Sequence, residues 1–382
     1  MNVRAFLAAV VVACVGCGGA EVSSSPGDPP SETGGRPKQV PPASSATDPD
    51  PRRDTAGTAP VANTGQTTEA QGEAAFVGGL IGSQVVLDHP ELNECSGLGF
   101  SIRKPDCIWS HNDSGDVARW LSFDVHSGKP VGSCRLQGAE AIDWEDMTLV
   151  PIRPDATADP SAVQNDNYLV AADCGDNFRS RPFVTLYACI EPDPRRDTRV
   201  PRSRWASLRV TYPGGPMDCE AVWYDNQRDV IRFLGKHVMP WVSLVEIPAG
   251  LLRARMRSAD AEPDLEDQPR QQAEKPIRGR LVTNLSLPLA TAADRDPETG
   301  DVWVVSYWQA WRLPASLLNG MPNEERDSGD GGSRKPLVMP EPYPLPQWKQ
   351  IEAVAVDGKS NVWISSEGES APLGLLLFED RR

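Results

Sequence analysis

Short segments of alternating apolar and polar residues recur along residues 75–382, and turn residues separate them. This alternation is typical of half-buried strands and predicts an all-β domain. Five of the segments open with a carboxylate, Ser or Thr and continue with alternating apolar positions: SGLGFS from Ser96, EDMTLV from Glu145, EAVWYD from Glu220, TAADRD from Thr291 and EAVAVD from Glu352. The repetition predicts five similar structural units.

Each opening segment is followed by further strand-like segments. The second strands are predicted from Ile108, Tyr168, Val230, Val302 and Val362, and the third strands from Arg119, Phe183, Trp241, Gln309 and Leu373. Fourth strands are predicted from Val131, Ala206 and Gly279 and, more weakly, as PLVMPE from Pro336. The fifth unit has no fourth segment after it, but the free strand Ile81–Asp88 could complete that unit. We therefore predict a β-propeller of five four-stranded blades, closed by residues 81–88, with six blades or a β-sandwich as alternatives.

The N-terminal residues have the pattern of an export signal. A single positive charge at Arg4 precedes a small and apolar stretch, Ala5–Gly16, of the length of a secretory signal. Cys17 and the glycines after it resemble the cleavage box of bacterial lipoproteins, so Cys17 is the expected lipidated residue. Cys14 is an alternative site, and an ordinary signal peptide is another interpretation. We expect an exported protein, lipid-anchored in the cell envelope, at the outer membrane or facing the periplasm if the source is Gram-negative.

A second segment, residues 18–74, contains no Leu, Ile, Phe, Met, Trp or Tyr. Such a segment cannot bury enough apolar area to offset the entropy lost on ordering, so it is predicted to be a disordered tether. The expected organisation is a signal over residues 1–17, a tether over 18–74 and the propeller over 75–382.

Charge and composition exclude several classes of protein. The chain has 53 acidic and 38 basic residues, a formal net charge of −15, which disfavours nucleic-acid binding. No apolar run approaches the roughly 20 residues that span a bilayer. We expect a monomer that contacts the membrane only through the lipid at Cys17.

Six cysteines follow the signal, namely Cys95, Cys107, Cys134, Cys174, Cys189 and Cys219. An even number in an exported protein favours disulfides. Cys174 ends a second strand and Cys219 begins the next inner strand, so these two are predicted to form a disulfide. Buried, unpaired thiols are the alternative.

The propeller fold predicts where the acidic residues meet. The inner strand of each blade begins at the face where the second strand ends, so residues distant in sequence share one mouth of the channel. A cluster of carboxylates that contains no other ligand type suits Ca²⁺ better than Zn²⁺. The predicted metal ligands are Asp113, Asp143, Glu145, Asp176, Glu220 and Glu352. The alternative is that these acids cap turns and accept hydrogen bonds from backbone amides.

Other polar and aromatic residues at the mouth are candidates for ligand binding. The predicted contacts to a small polar or phosphorylated ligand are His111, Asn112, Asn177, Lys236 and Trp308. An alternative function is a non-catalytic propeller that binds a saccharide or protein at the cell envelope. For that function the acids would be joined by four tryptophans: Trp109, Trp144, Trp223 and Trp308.

Several motifs resemble a family of secreted bacterial propellers often labelled phytase-like or esterase-like, and more distantly the gluconolactonase-like propellers. They are HNDSG from His111, DWED from Asp143, DCGDN from Asp173, DCEAVWYD from Asp218 and QIEAVAVDG from Gln350. The resemblance covers residues 90–380. It implies a calcium-dependent phosphoester or ester hydrolase whose mouth acids hold the ion, with Glu145 and Glu220 as the candidate catalytic residues.

Overall fold

The computed structural model describes residues 80–153, 166–239, 241–261, 275–319, 339 and 341–378. Contacts separate the chain into Met1–Ala75 and Phe76–Arg382, and every described residue belongs to the second unit. The predicted signal, the lipidation site Cys17 and the tether lie outside the described residues. No helix within the described ranges is both long enough and apolar enough to cross a membrane.

Five sheets form the five blades of the propeller, and the first four strands of each blade pair antiparallel. The inner strands are β2 (Cys95–Phe100), β6 (Trp144–Pro151), β11 (Cys219–Asp225), β16 (Ala290–Arg295) and β20 (Ile351–Val356). The second strands are β3 (Cys107–Asn112), β7 (Asn167–Asp173), β12 (Val230–Gly235), β17 (Val302–Ser306) and β21 (Val362–Ser366). The third strands are β4 (Arg119–Asp124), β8 (Val184–Ile190), β13 (Val242–Pro248), β18 (Gln309–Leu313) and β22 (Pro372–Leu377).

The fourth strands complete the blades and close the ring. They are β5 (Pro130–Leu136), β10 (Trp205–Thr211), β15 (Arg280–Leu285), β19 (Tyr343–Pro344) and, in the last blade, β1 (Leu80–Val86). Strand β1 runs antiparallel to β22, from Leu80 opposite Leu377 to Val86 opposite Pro372. The prediction of five blades closed by the N-terminal strand is therefore confirmed.

Two blades carry a fifth strand that the sequence pattern did not predict. Strand β9 (Asp197–Val200) pairs in parallel with β5, and β14 (Ile277–Arg278) pairs in parallel with β10. Three helical segments complete the described elements: a 3₁₀ turn (Arg202–Arg204), α1 (Ala249–Ala261) and α2 (Ala315–Asn319). The two added strands therefore widen the outer edges of their blades.

The fourth strand of the fourth blade differs from its prediction. The segment PLVMPE from Pro336 has only Met339 and Glu341 among the described residues, and neither lies in a strand. Tyr343–Pro344 pairs with β18 instead. The Tyr343 ring lies 5.6 Å from that of Trp303 and 4.9 Å from that of Phe378, measured between ring centroids. This aromatic packing explains why the short β19 takes the outer position.

The apolar core lies between neighbouring blades. One cluster between the first two blades contains five aromatic side chains: Trp109, Trp120, Trp144, Tyr187 and Trp205. Large aromatic side chains bury much area and prefer tilted or edge-on contacts, as in this cluster. The blades are therefore held together mainly by packing between their faces.

Polar side chains also link the inner strands around the channel. The hydroxyl of Ser96 donates to the Glu145 carbonyl at 2.8 Å. The buried Asp146 accepts hydrogen bonds from the amides of Val222 (2.8 Å) and Ala293 (3.2 Å), which lie on the next two blades. The channel-facing edge of an inner strand has no neighbouring strand, and these contacts satisfy backbone groups that would otherwise be unpaired.

Candidate functional site

Backbone hydrogen bonds join the segments at the mouth of the channel. The amide of Asp113 donates to the carbonyl of Glu94, and the amide of Trp144 donates to that of Asp113, both at 3.0 Å. The amide of Cys174 donates to the Asp143 carbonyl, also at 3.0 Å. The ends of second strands and the starts of inner strands therefore meet at one face.

Three acidic residues form a compact group at this mouth. Asp113 follows β3, Asp143 precedes β6 and Glu145 is the second residue of β6. One carboxylate oxygen from each lies within 4.8 Å of the others. The Oδ1 atom of Asp113 is buried and has no hydrogen-bond partner among the described residues. This arrangement offers three oxygen ligands to one cation.

The electrostatics of the group favour a bound positive charge or protons. Burial, followed by repulsion from Asp143 and Glu220, raises the pKa of Asp113 to about 8. Burial, followed by repulsion from Glu220 and Asp113, raises the pKa of Glu145 well above its usual range. Carboxylates that repel one another in a poorly hydrated space take up protons unless a cation neutralises them.

Gly175 brings a loop close against these carboxylates. A Cβ atom built on Gly175 would overlap with Glu145 Oε1 and Asp143 Oδ2. Arg181 fixes the loop, since its guanidinium donates to the Gly175 carbonyl at 2.9 Å and lies 2.7 Å from Asp173. The close approach of Gly175 was not predicted from the sequence. Its position in the acidic motif DCGDN was the available signal, but a glycine in such a motif is equally typical of a turn.

The other half of the mouth contains a buried ion pair. The ammonium of Lys236 lies 2.5 Å from a carboxylate oxygen of Glu220, the second residue of β11. The same ammonium lies 5.1 Å from the centre of the Tyr307 ring. Burial raises the pKa of Glu220 to about 7, although Lys236 opposes the shift. For Lys236 burial lowers the pKa, but Glu220, Tyr307 and the remaining acids outweigh it, and the net pKa is well above normal.

Glu352 lies in the same half of the mouth, on the last blade. It is the second residue of β20, is buried, and accepts a hydrogen bond from Gln350 at 3.3 Å. Burial and a hydrogen bond with Glu367 raise its pKa well above the usual range. Glu352 and Glu220 therefore share Lys236 as their nearby positive charge.

Asn112 and Asp176, two of the predicted site residues, are occupied by the backbone of their own loops. The Asn112 side chain accepts from the amides of Asn93 and Glu94 and donates to the Glu91 carbonyl and to Asp116. The two carboxylate oxygens of Asp176 accept from the amides of Ser180 (2.8 Å) and Arg181 (2.9 Å). Both side chains therefore hold mouth loops in place, and Asp176 lies outside the three-carboxylate group.

His111 is also a structural residue in this arrangement. Its side chain is 1% exposed, its Nδ1 lies 2.9 Å from the Asn112 carbonyl oxygen, and its ring packs edge-on against Trp144. Burial lowers the pKa of His111 to about 4, so the ring is neutral at pH 7. A contact between His111 and a ligand at the mouth surface is not compatible with this burial.

The tryptophans predicted at the mouth are partly buried in the core and partly exposed. Trp109, Trp144 and Trp223 are fully buried between blades, so the predicted recognition surface of four tryptophans is wrong for these three. Trp308 is 41% exposed, beside Tyr307, and Asn177 is exposed on the loop after β7. Successive side chains of a strand point to opposite faces. A tryptophan next to a residue that faces away from the core is therefore directed into the core.

The predicted disulfide is absent from the structure. Cys174 and Cys219 are neighbours at the mouth, where the Cys174 thiol donates to the carbonyl of Cys219 at 3.0 Å. Both are nonetheless free, buried thiols, as are the other cysteines of the described residues. The thiol of Cys174 therefore makes a hydrogen bond to a backbone oxygen of Cys219 and no disulfide with its sulfur.

No protein-family model matches the sequence, and no curated protein matches it. Among solved structures, the fold is similar to that of a luciferin-regenerating enzyme, at a TM-score of 0.39 and 10% sequence identity. The match covers 78% of this chain and 96% of that chain. At this level of similarity, the residues of the mouth themselves are the basis for a functional interpretation.

Proposed function

We propose that the protein is a calcium-binding propeller whose mouth binds a small polar or phosphorylated ligand and hydrolyses it. The observation that carries this proposal is the group formed by Asp113, Asp143 and Glu145, whose ligand oxygens lie within 4.8 Å of one another. The proposed site uses these three as cation ligands, with Glu220 and Glu352 across the channel.

The donor chemistry fits a hard divalent cation. Carboxylate oxygens arranged without rigid geometry suit Ca²⁺, which takes six to eight oxygen ligands, and the remaining positions would fall to water and ligand oxygens. Zn²⁺ prefers nitrogen and sulfur ligands, and the nearby His111 is buried against Trp144 with its ring outside the group. The unpartnered Oδ1 of Asp113 supports the same assignment.

The proposed chemical roles are divided among the residues of the mouth. A bound calcium ion would polarise a phosphoryl or carbonyl oxygen. Glu145 and Glu220 are the proposed catalytic carboxylates, one of which accepts the proton of the attacking water. Lys236, held by Glu220, is proposed to contact an anionic group of the ligand. Asn177 and Trp308 are proposed to contact the ligand at the edge of the mouth.

Thermal melting with calcium and with a chelator tests the cation site. A ligand that binds only the folded state at one hundred times its dissociation constant adds about 2.7 kcal/mol of stability. We expect CaCl₂ to raise the melting temperature of the wild type and Asp113→Asn to abolish the rise. The control variant Glu140→Gln changes an exposed acid near the mouth and should keep the rise. Equal shifts in all three proteins, or none in the wild type, would refute the site.

Turnover is tested separately, with 4-nitrophenyl phosphate and 4-nitrophenyl acetate as probes. The hydrolase proposal predicts product formation that EDTA removes, that added calcium restores, and that Glu145→Gln or Glu220→Gln eliminates. Calcium-dependent melting without turnover of either probe would instead support a non-catalytic binding propeller.

The export and anchoring remain proposals based on residues 1–17. Incorporation of radiolabelled palmitate into the membrane fraction, lost in Cys17→Ser and retained in Cys14→Ser, would support lipid attachment at Cys17. Incorporation lost only in Cys14→Ser would assign the lipid to the other cysteine.

A further inference from the structure

Large apolar side chains are exposed around the mouth of the channel. Phe178 is 90% exposed and Trp241 is 66% exposed. Three others share this property and this face, and together the five define an apolar rim: Ile142, Phe178, Met239, Trp241 and Trp308. An exposed apolar group of this kind marks an interaction site more often than single surface residues do.

The topology places the whole rim at one face. Phe178 follows the second strand β7, Trp241 lies between β12 and β13, and Trp308 lies between β17 and β18. These are equivalent loops of three consecutive blades. Ile142 precedes the inner strand β6, which begins at the same face. Ile102, on the β2–β3 loop, is also exposed but belongs to the opposite face.

The mouth beside the rim is acidic. Asp113, Asp143 and Glu145 form the three-carboxylate group, and two nearby positive charges are already paired, Lys236 with Glu220 and Arg181 with Asp173. A partner that covers the rim must therefore bring positive charge to the centre and apolar side chains to the edge. Burial of the acids without such a charge would be costly.

Two other occupants fit poorly. The N-terminal residues 18–74 contain no large aliphatic or aromatic side chain that could fill the rim. A second copy of the chain would bring its own acidic mouth, in a protein with a formal net charge of −15, so two such faces would repel one another.

We propose that the apolar rim and the acidic mouth together bind a polypeptide segment in which Lys or Arg residues are interspersed with aromatic or aliphatic ones. The basic side chains enter the mouth and pair with its carboxylates, and the apolar side chains pack on Phe178 and Trp241. This recognition goes beyond the proposed calcium site. It uses the same carboxylates, so a bound cation and the basic segment compete.

Fluorescence anisotropy with labelled synthetic peptides tests this proposal, in EDTA and at low salt. The probe has three Lys-Phe-Gly repeats, and the matched controls have Lys-Ser-Gly and Glu-Phe-Gly repeats. We expect the probe to bind at least tenfold more tightly than the Lys-Ser-Gly control and the Glu-Phe-Gly control not to bind. Equal binding of both lysine peptides would reduce the interaction to charge alone, and binding of the acidic peptide would reduce it to apolar adhesion; either overturns the proposal.

Variants of the protein separate the rim from the rest of the surface. Phe178→Ser and Trp241→Ser should each weaken binding of the probe about tenfold, because both side chains are exposed and their loss leaves the core intact. Ile102→Ser removes a half-exposed apolar side chain from the opposite face and should change binding less than twofold. A comparable loss in Ile102→Ser, or none in the two rim variants, would refute the rim as the binding surface.

Added calcium distinguishes this proposal from the proposed function. If both are correct, CaCl₂ weakens binding of the Lys-Phe-Gly probe. Peptide binding that is insensitive to calcium, in a protein whose melting is also insensitive, would reject the cation site and leave the rim proposal standing. Calcium-dependent melting without peptide binding would reject the rim proposal and leave the cation site standing.

Discussion

The ammonium of Lys236 lies 2.5 Å from the carboxylate of Glu220, within a mouth that is rich in acidic residues. Glu220 lies at the start of β11, and Lys236 directly follows β12, the second strand of the same blade. The pair therefore offsets part of the negative charge of the mouth by direct contact, whereas Arg181 and Lys236 only oppose the rise in pKa of Asp143 and Glu145 from a distance.

Removal of Lys236 is expected to destabilise the protein. Lys236→Met leaves Glu220 and Glu352 buried without their nearby positive charge, and breaking a buried ion pair from one side costs about 3–5 kcal/mol. We expect a loss of that size in urea unfolding measured in EDTA. The double variant Glu220→Gln with Lys236→Met should recover part of the loss; no recovery would show that the two side chains do not act as a pair.

Gly175→Ala is expected to disrupt the three-carboxylate group. The added methyl group overlaps with Glu145 and Asp143, so the carboxylates must move apart, at a cost of about 1–3 kcal/mol. Thermal melting should show both a lower baseline stability and a smaller rise with calcium. Gly214→Ala, at a position where a Cβ meets no atom within 4 Å, is the matched control and should change neither.

Asp146 is expected to stabilise the ring by bridging the inner strands. One carboxylate oxygen of Asp146 accepts from the amides of Val222 and Ala293, and the other accepts from the amide of Met147. Asp146→Asn replaces one of these oxygens by an NH₂ group, which cannot accept a hydrogen bond. We expect a loss of about 2–4 kcal/mol and faster hydrogen exchange at the amides of Val222 and Ala293. Asp197→Asn, in an exposed pair with Ser133, should cost less than about 0.5 kcal/mol.

Asp294 is expected to make stability depend on pH. Burial raises the pKa of Asp294 to about 7, although the amides of Val356 and Arg295 oppose the shift. The folded state then binds more protons than the unfolded state between about pH 4 and pH 7, so the contribution of Asp294 to stability falls as the pH rises through that range. Asp294→Asn should reduce the difference in urea midpoint between pH 5 and pH 8. An unchanged difference would assign the dependence to other carboxylates.

Much of the architecture was predictable because the strand pattern repeats. The inner, second and third strands follow the alternation of apolar and polar residues, and the missing fourth strand of the last blade pointed to β1 as its replacement. Strands β9 and β14 escaped prediction because they add in parallel at outer edges, where few positions are buried and the pattern is weak.

The candidate site was predictable in location but less so in detail. The topology alone indicated that Asp113, Asp143 and Glu145 would meet. It could not indicate that Asn112 and Asp176 use their side chains to hold loops, because the same residue types serve turns and ligands. The orientation of each side chain is set by its neighbours, and sequence patterning carries little information about those neighbours.

The pairing of β1 with β22 also determines the order in which the ring can assemble. Leu80 lies opposite Leu377, so the earliest described strand to be synthesised waits for the latest one. Contacts between residues so distant along the chain form slowly, because the entropy of closing a long loop is lost before the contacts stabilise the chain. Until synthesis reaches β22, the partly made propeller has two open sheet edges, and the growing chain is then most exposed to mispairing and in greatest need of chaperones.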